Sequence, residues 1–294
     1  MNPLSTSLYF FGFIWIELTL LFLGISTLIG LILLYISEEK LQRWLSRKGA
    51  YGNILGALMG GLTPFCACST IPMTVGLLKA KVPFGPVMSF VVASPILNPF
   101  VLGMLVALMG LKVGLIYAVV SFTAAVLFGL ILDKFGFSRQ VKSVVISGGS
   151  QDELDLSGFK EKLKHAFISA LNDYKGVFWY LVIGVAIGAA IKGFMPQEFI
   201  VRVAGPQNPL AIPAAALIGI PLYIRATTAI PIGLALVQKG MGVGAVIALI
   251  IGGAGMAIPE MSLLAGIFKP RLVGALVGVI FITAVTAGLV FSIT

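Results

Sequence analysis

Residues 53–80 read NILGALMGGLTPFCACSTIPMTVGLLKA, an apolar run that is interrupted in its middle. The interruption covers residues 63–72 and contains two prolines, two cysteines and three hydroxyl side chains. Proline lacks the backbone N–H that a helix needs. Unwound backbone is tolerated at membrane depth only where it is buried in protein or lines a water-filled path. The stretch therefore predicts a broken or re-entrant membrane helix beside a solute path.

Three other apolar runs are interrupted in a similar way, at SPILNP (94–99), PLYIRATTAIP (221–231) and GGAGMAIPE (252–260). A shift of 159 positions places the pattern of the first half on that of the second. It aligns Gly60 with Gly219, for example. We therefore predict an internal repeat, an architecture in which transporters carry their sites at broken helices.

The composition is typical of a membrane protein. Hydrophobic residues make up 59% of the 294 residues and charged residues only 11%, with a mean hydropathy of +1.06. A soluble domain carries about a quarter charged residues. The sequence has no phosphate-binding loop, dinucleotide fingerprint or metalloprotease motif, so neither an enzyme nor a cofactor is predicted.

The net charge of +9 does not indicate nucleic acid, because half of the 20 Lys and Arg residues lie in two polar connections, 37–52 and 134–173. Basic connections stay in the cytoplasm. Counting crossings between them gives an all-α polytopic membrane protein made of two inverted repeats with re-entrant or broken helices. Residues 1–133 form the first repeat, 134–173 a cytoplasmic linker with an amphipathic helix, and 174–294 the second repeat.

At the motif level the sequence resembles a known family. Residues 61–72 (GLTPFCACSTIP) together with 93–99 (ASPILNP) resemble the signature of the predicted permeases related to ArsP and YraQ. The resemblance implies a transport function. Its ArsP branch is implicated in efflux of trivalent organoarsenicals, with the cysteines as expected ligands. Arg225 and Ala226 stand where many relatives carry a second cysteine motif.

The residues themselves leave the role of Cys66 and Cys68 open. Thiols suit soft cations and trivalent metalloids, which favours a metalloid or substrate site. Both thiols reach one ligand only if the backbone is unwound there. Packing of a tight turn is the alternative, and redox chemistry a third reading.

Arg225 and Glu260 are charges within otherwise apolar sequence, where ionisable side chains are costly and face a cavity or a partner. They either pair with each other or bind substrate, with Arg225 holding an anionic group; a purely structural pair is the alternative. Glu17 is a candidate for proton coupling, or lies near the outer interface. Candidate neutral hydrogen-bonding groups, which are alternatively helix caps, are Ser69, Thr70, Asn98, Thr227 and Thr228.

The sequence thus predicts a secondary transporter of a small solute, with metalloid or organoarsenical export as one substrate class. A membrane thiol–disulfide relay through Cys66 and Cys68 is the alternative function. The expected partners are the bilayer and a small-molecule substrate, without nucleic acid, and a homo-oligomer is compatible with the pattern. The expected location is the cell membrane, crossed several times.

Overall fold

A computed structural model of the chain describes residues 50–62, 67–142, 159–194, 210–222, 241–255 and 257–293. It also describes single residues between 9 and 45 and positions 233 and 237. At some helical positions, Cys68 and Ser69 among them, only the backbone is described. Throughout this part of the chain the fold is helical, and its β pairing is limited to one isolated bridge.

The helices follow one another in chain order with short connections where both sides are described. They are α1 (Tyr51–Leu62), α2 (Ala67–Lys79), α3 (Phe84–Ile96), α4 (Pro99–Met109), α5 (Leu111–Lys134), a short 3-10 helix (Phe137–Gln140), α6 (Phe159–Phe194), α7 (Ala211–Leu222), α8 (Val243–Gly255), α9 (Ile258–Ile267) and α10 (Pro270–Ile293).

Two of these helices, α5 and α10, are 24 residues long and apolar enough to cross a membrane. At 1.5 Å per residue each extends about 36 Å, more than the roughly 30 Å of hydrocarbon in a bilayer. The pairs α3–α4 and α8–α9 are bent by 41° and 44°, and each pair has the length and composition of one further span. The described residues therefore contain two candidate spans, or four if each bent pair is one span, and the prediction of a helical membrane protein is confirmed.

The predicted interruptions between α3 and α4 and between α8 and α9 are confirmed. The first helix of each pair ends at Ile96 or Gly255, and the second begins at Pro99 or Ile258. A proline occupies one of the first two positions of each following helix, where its missing N–H costs nothing. Pro99 also disfavours helical backbone in Asn98, the residue before it, which favours the bend between α3 and α4.

The interruption predicted at 63–72 is narrower than expected. Residues 63–66 lie outside the described part, but α2 is already helical at Ala67 and includes Pro72. A proline inside a helix removes one hydrogen bond, here the one that the Cys68 carbonyl would accept. Membrane helices tolerate such positions because neighbouring groups can satisfy the freed carbonyl.

Glycines bring the helices of each half into close contact in the same way. A Cβ placed on Gly60 of α1 would lie 2.7 Å from the Phe90 carbonyl oxygen of α3. A Cβ placed on Gly219 of α7 would lie 2.7 Å from the Leu249 carbonyl oxygen of α8. Both members of the second pair stand 159 positions after those of the first. Only glycine permits this approach of the two backbones.

The contacts of α5 in the first half and α10 in the second half also correspond to each other. A Cβ on Gly129 of α5 would lie 2.9 Å from the Gly85 carbonyl oxygen, and one on Gly288 of α10 would lie 2.8 Å from the Gly244 carbonyl oxygen. The shift is again 159 at both positions. Helices α1, α3 and α5 thus pack as one set, and α7, α8 and α10 pack as a second set with the same pairings.

The first segment contacts α6 through aromatic and hydroxyl side chains. The rings of Trp15 and Phe178 meet edge to face with centroids 6.4 Å apart. The hydroxyls of Thr19 and Tyr174 are 2.8 Å apart. From Trp15 to Thr19 the residue number rises in the first segment, while it falls from Phe178 to Tyr174 in α6. The two helical segments therefore run antiparallel.

The chain after α5 is attached to the turn between α9 and α10. Val141 and Phe268 form the isolated antiparallel bridge, and the Lys142 N–H donates to the Ile267 carbonyl at 3.0 Å. The Lys142 ammonium donates to the Ala265 carbonyl at 2.6 Å, near the C-terminal end of α9, where a cation is favoured. The C-terminal end of α5 and the N-terminal end of α10 therefore lie on the same side of the bundle.

Helix α6 runs without a break across the predicted boundary between linker and second repeat at 173/174. The apolar face predicted for the amphipathic helix of the linker includes Leu163 and Phe167, and these two side chains are 42% and 48% exposed. The buried face instead carries Ala166, Ala170 and Tyr174, four residues apart. Small residues at this spacing permit close packing, and α6 packs on α9.

Candidate substrate site

A small cavity lies where helices of the two halves meet. Its volume accommodates about one water molecule. The first half contributes side chains from α2 and α3, and the second half contributes side chains from α8, α9 and α10. The described lining residues are Thr70, Val91, Val92, Pro95, Gly255, Glu260, Met261, Leu264, Leu276 and Ile280.

On the first-half side, the polar lining residue is Thr70, whose hydroxyl is paired with that of Ser94. The Oγ atoms of Thr70 and Ser94 are 2.6 Å apart, and either can be the donor. Thr74, one turn beyond Thr70, donates to the Thr70 carbonyl at 2.6 Å. All three side chains are buried. The bond between Thr70 and Ser94 fixes the first turn of α2 against the last turn of α3, next to the break between α3 and α4.

On the second-half side, the polar lining is a carboxyl group. Glu260 is 7% exposed and stands in the first turn of α9. The positive end of the helix dipole favours a negative charge at this position. An ionisable side chain at this depth is costly to bury, which marks it as a functional candidate.

Proline chemistry adds main-chain acceptors to the same region. Pro95 lies inside α3 and cannot donate to the carbonyl of Val91, which also lines the cavity. Pro72 has the same effect on the Cys68 carbonyl in α2. The region around the cavity thus combines two hydroxyls, a carboxyl group and carbonyls released from helical bonding. These groups can bind a small solute or a proton.

The structure brings some of the sequence-predicted residues to this place and leaves others apart. Cys68 and Ser69 lie in the first turn of α2, immediately before Thr70, with only their backbone described. Asn98 precedes α4, and its main-chain carbonyl accepts a hydrogen bond from the Leu102 N–H at 3.1 Å. It is not among the described lining residues of the cavity. The candidates that lie outside the described residues are Glu17, Cys66, Arg225, Thr227 and Thr228.

The structure gives two hydroxyl residues a role that the sequence does not specify. Thr70 is a sequence candidate with a helix cap as the alternative, and Ser94 belongs to the predicted interruption at 94–99. The available signal was their position: each hydroxyl stands in an apolar run within two residues of a proline. Their partnership could not be foreseen, because it depends on how α2 folds back on α3.

The described residues contain no group of three or more His, Cys, Asp or Glu side chains that could bind a metal ion. Cys66, which completes the predicted thiol pair, is outside that part of the chain. The thiol ligand set therefore stays a prediction.

Known proteins provide an independent comparison. The family model described as a predicted permease, ArsP_1, matches residues 4–293. UPF0718 protein MJ0584 of Methanocaldococcus jannaschii is 25% identical, over 70% of this chain and 72% of its own length. A Streptococcus mutans protein named as a subunit of a two-component membrane permease complex is 24% identical, over 86% and 84%.

UPF0718 protein YraQ of Escherichia coli is also 24% identical, over 85% of this chain and 71% of its own length. No solved structure matches the chain. None of these relatives is named as an oxidoreductase, so the comparisons give no support to a thiol–disulfide relay. Apolar membrane helices, a cavity between two sets of helices, and a match over nearly the whole sequence lead to one assignment: the chain belongs to the ArsP_1 family of predicted permeases.

Proposed function

We propose that the chain is a secondary transporter that moves a small solute by alternating access through the cavity between its two halves. The observation that carries the proposal is the meeting of α2 and α9 at that cavity, where Thr70 and Glu260 are both buried. Half-helices that begin near the membrane midplane form the sites of many secondary transporters. The location we propose is the cell membrane.

We propose that the two halves are inverted repeats, an arrangement typical of secondary transporters. Under the shift of 159, Trp15 corresponds to Tyr174 and Thr19 to Phe178. If each residue is replaced by its counterpart, the contact between Trp15 and Phe178 becomes the contact between Tyr174 and Thr19. Exchange of this kind is what a two-fold axis produces. Because the two segments run antiparallel, the axis is perpendicular to them and lies in the plane of the membrane, which inverts one repeat relative to the other.

We propose that α1 and α2 form a re-entrant hairpin in the first half. They are 12 and 13 residues long, about 18–20 Å each, which is too short for either to cross the hydrocarbon alone. In such a hairpin the polar turn reaches the membrane interior and the first turn of α2 faces the substrate path.

For the substrate we propose a soft metalloid, such as a trivalent organoarsenical, bound by Cys66 and Cys68. The resemblance of residues 61–72 to the ArsP branch and the affinity of thiolates for soft cations support it. Cys68 stands two residues before the lining residue Thr70 on α2. Ser69, Asn98, Thr228 and Arg225 are proposed as further contacts, and Glu17 and Glu260 as proton carriers.

The test is the metalloid sensitivity of cells that lack their own arsenic exporters. Such cells would express the chain, its Cys66→Ser/Cys68→Ser variant or an empty vector, and be exposed to arsenite and methylarsenite. We expect protection by the chain that disappears with the cysteines at equal membrane expression. Absence of protection by a well-expressed chain would contradict the metalloid substrate. Uptake and export of anionic solutes would then be compared for the chain and an Arg225→Ala variant.

A further inference from the structure

The first half contains a buried polar pair that the candidate site does not use. Tyr117 on α5 is fully buried, and its hydroxyl donates to the Ile96 carbonyl at 3.0 Å, where α3 ends. Ser121, one turn further along α5, is 1% exposed, and its hydroxyl lies beside that of Tyr117. Hydroxyls buried in a membrane protein are costly unless they are paired, so this pair calls for an explanation.

The repeat gives Tyr117 and Ser121 a specific position. Residues 159 positions later are Leu276 and Ile280, and both line the cavity beside Glu260. Between the two positions, Ile96 and Gly255 meet, since a Cβ on Gly255 would lie 3.6 Å from Ile96. These two residues correspond to each other under the same shift, so their contact lies on the two-fold axis. Tyr117 and Ser121 therefore occupy the symmetry-related counterpart of the cavity.

On this basis we propose that Tyr117 is a gate residue, and that Tyr117 and Ser121 form a second half-site that opens when the protein faces the opposite side of the membrane. The inference rests on the proposed transport function. In inverted-repeat transporters one repeat moves against the other around a fixed site. In the described state the Leu276 side contains the small cavity, whereas the Tyr117 side is filled by the buried tyrosine ring. In the opposite state α3 shifts at its broken end, the bond to Ile96 is lost, and the Tyr117 hydroxyl turns to the solute.

The chemistry of the second half-site differs from that of the first. Two neighbouring hydroxyls can each donate and accept a hydrogen bond, and neither carries a charge. The half-site therefore suits a neutral, hydrogen-bonding part of the solute, whereas the Glu260 side suits a proton or a positively charged group.

Cysteine labelling tests the gate without requiring transport. Ser121→Cys would be made in the Cys66→Ser/Cys68→Ser background, with Tyr117 intact or changed to Phe, and treated with a charged methanethiosulfonate reagent in membrane vesicles of both orientations. We expect slow labelling with Tyr117 and labelling about fivefold faster with Tyr117→Phe, from one vesicle orientation. This factor corresponds to the loss of one hydrogen bond of about 1 kcal/mol.

Two further positions make the result decisive. Thr283→Cys, at an equally buried residue of α10, should stay unlabelled in both backgrounds, because Tyr117→Phe should not loosen the whole bundle. Equal rates for Ser121→Cys with Tyr and with Phe, or a matching increase at Thr283→Cys, would overturn the gate. Ile280→Cys reports the described cavity, so a failure to label there would count against the proposed function and not against the gate alone.

Discussion

Glu260 is the residue at which burial, charge and position combine most clearly. We predict that Glu260→Gln lowers transport by about ten- to a hundredfold. Hydrogen bonds to a charged group contribute about 1.5–3 kcal/mol, and the amide keeps the shape of the side chain without its charge or its proton. The thermal midpoint should stay equal or rise, because a neutral amide costs less to bury than a carboxylate. Transport in reconstituted vesicles and thermal unfolding in detergent would be measured together.

The matched control is Glu161→Gln, which removes the same charge from an exposed position in the first turn of α6. Its transport should equal that of the unchanged chain. If both variants lost transport equally, net charge or expression would explain the effect and Glu260 would have no special role. If neither did, the carboxyl group would be structural.

At the same scale, the sequence predicts the charged candidate but not the paired hydroxyls on the first-half side of the cavity. Glu260 was recognisable because a carboxylate in an apolar run needs a reason. The pairing of Thr70 with Ser94 was not recognisable, because hydroxyls are common in membrane helices and their partners depend on the tertiary fold. The thiol prediction for Cys66 and Cys68 stays open.

At the scale of helices, α10 contains one closely packed glycine and one glycine with open space around it. Gly288 of α10 faces Ile212 and the Gly244 backbone, whereas a Cβ on Gly274 of the same helix meets nothing within 4 Å. We predict that Gly288→Ala lowers the free energy of unfolding by about 1–3 kcal/mol through overpacking. Gly274→Ala should leave it unchanged or raise it by up to about 1 kcal/mol through better helix propensity. Thermal or denaturant unfolding in detergent distinguishes the two signs, and a loss of stability at Gly274 would contradict the packing argument.

The positions of the helix breaks were largely readable from the sequence, because proline and glycine act locally on the backbone. The breaks before Pro99 and near Pro259 were predicted within a few residues. The helical course of α2 through Pro72 was not, since a single lost hydrogen bond can be tolerated when a neighbouring helix packs on it. The uninterrupted α6 was missed for a related reason: a change from polar to apolar sequence indicates a membrane boundary, not the end of a helix.

At the scale of the whole molecule, the relative direction of the two halves is the property on which alternating access depends. The shift of 159 was visible in the sequence as matching glycines, but identity among apolar residues cannot give a direction. The direction came from counting basic residues. The attachment of Lys142 to the end of α9 agrees with that count, because it places the end of α5 beside the start of α10.

Lys112 and Arg271 test this direction directly, because they correspond under the shift of 159 and are both exposed, near the starts of α5 and α10. In the Cys66→Ser/Cys68→Ser background we predict that Lys112→Cys reacts with an impermeant maleimide from outside the cell. Arg271→Cys and Lys134→Cys should react only in inside-out vesicles, since α5 ends where α10 begins. Labelling of Lys112→Cys and Arg271→Cys from the same side would establish a parallel repeat. It would contradict the in-plane axis that we propose to relate Tyr117 to Leu276, and with it the proposed alternating access through this cavity.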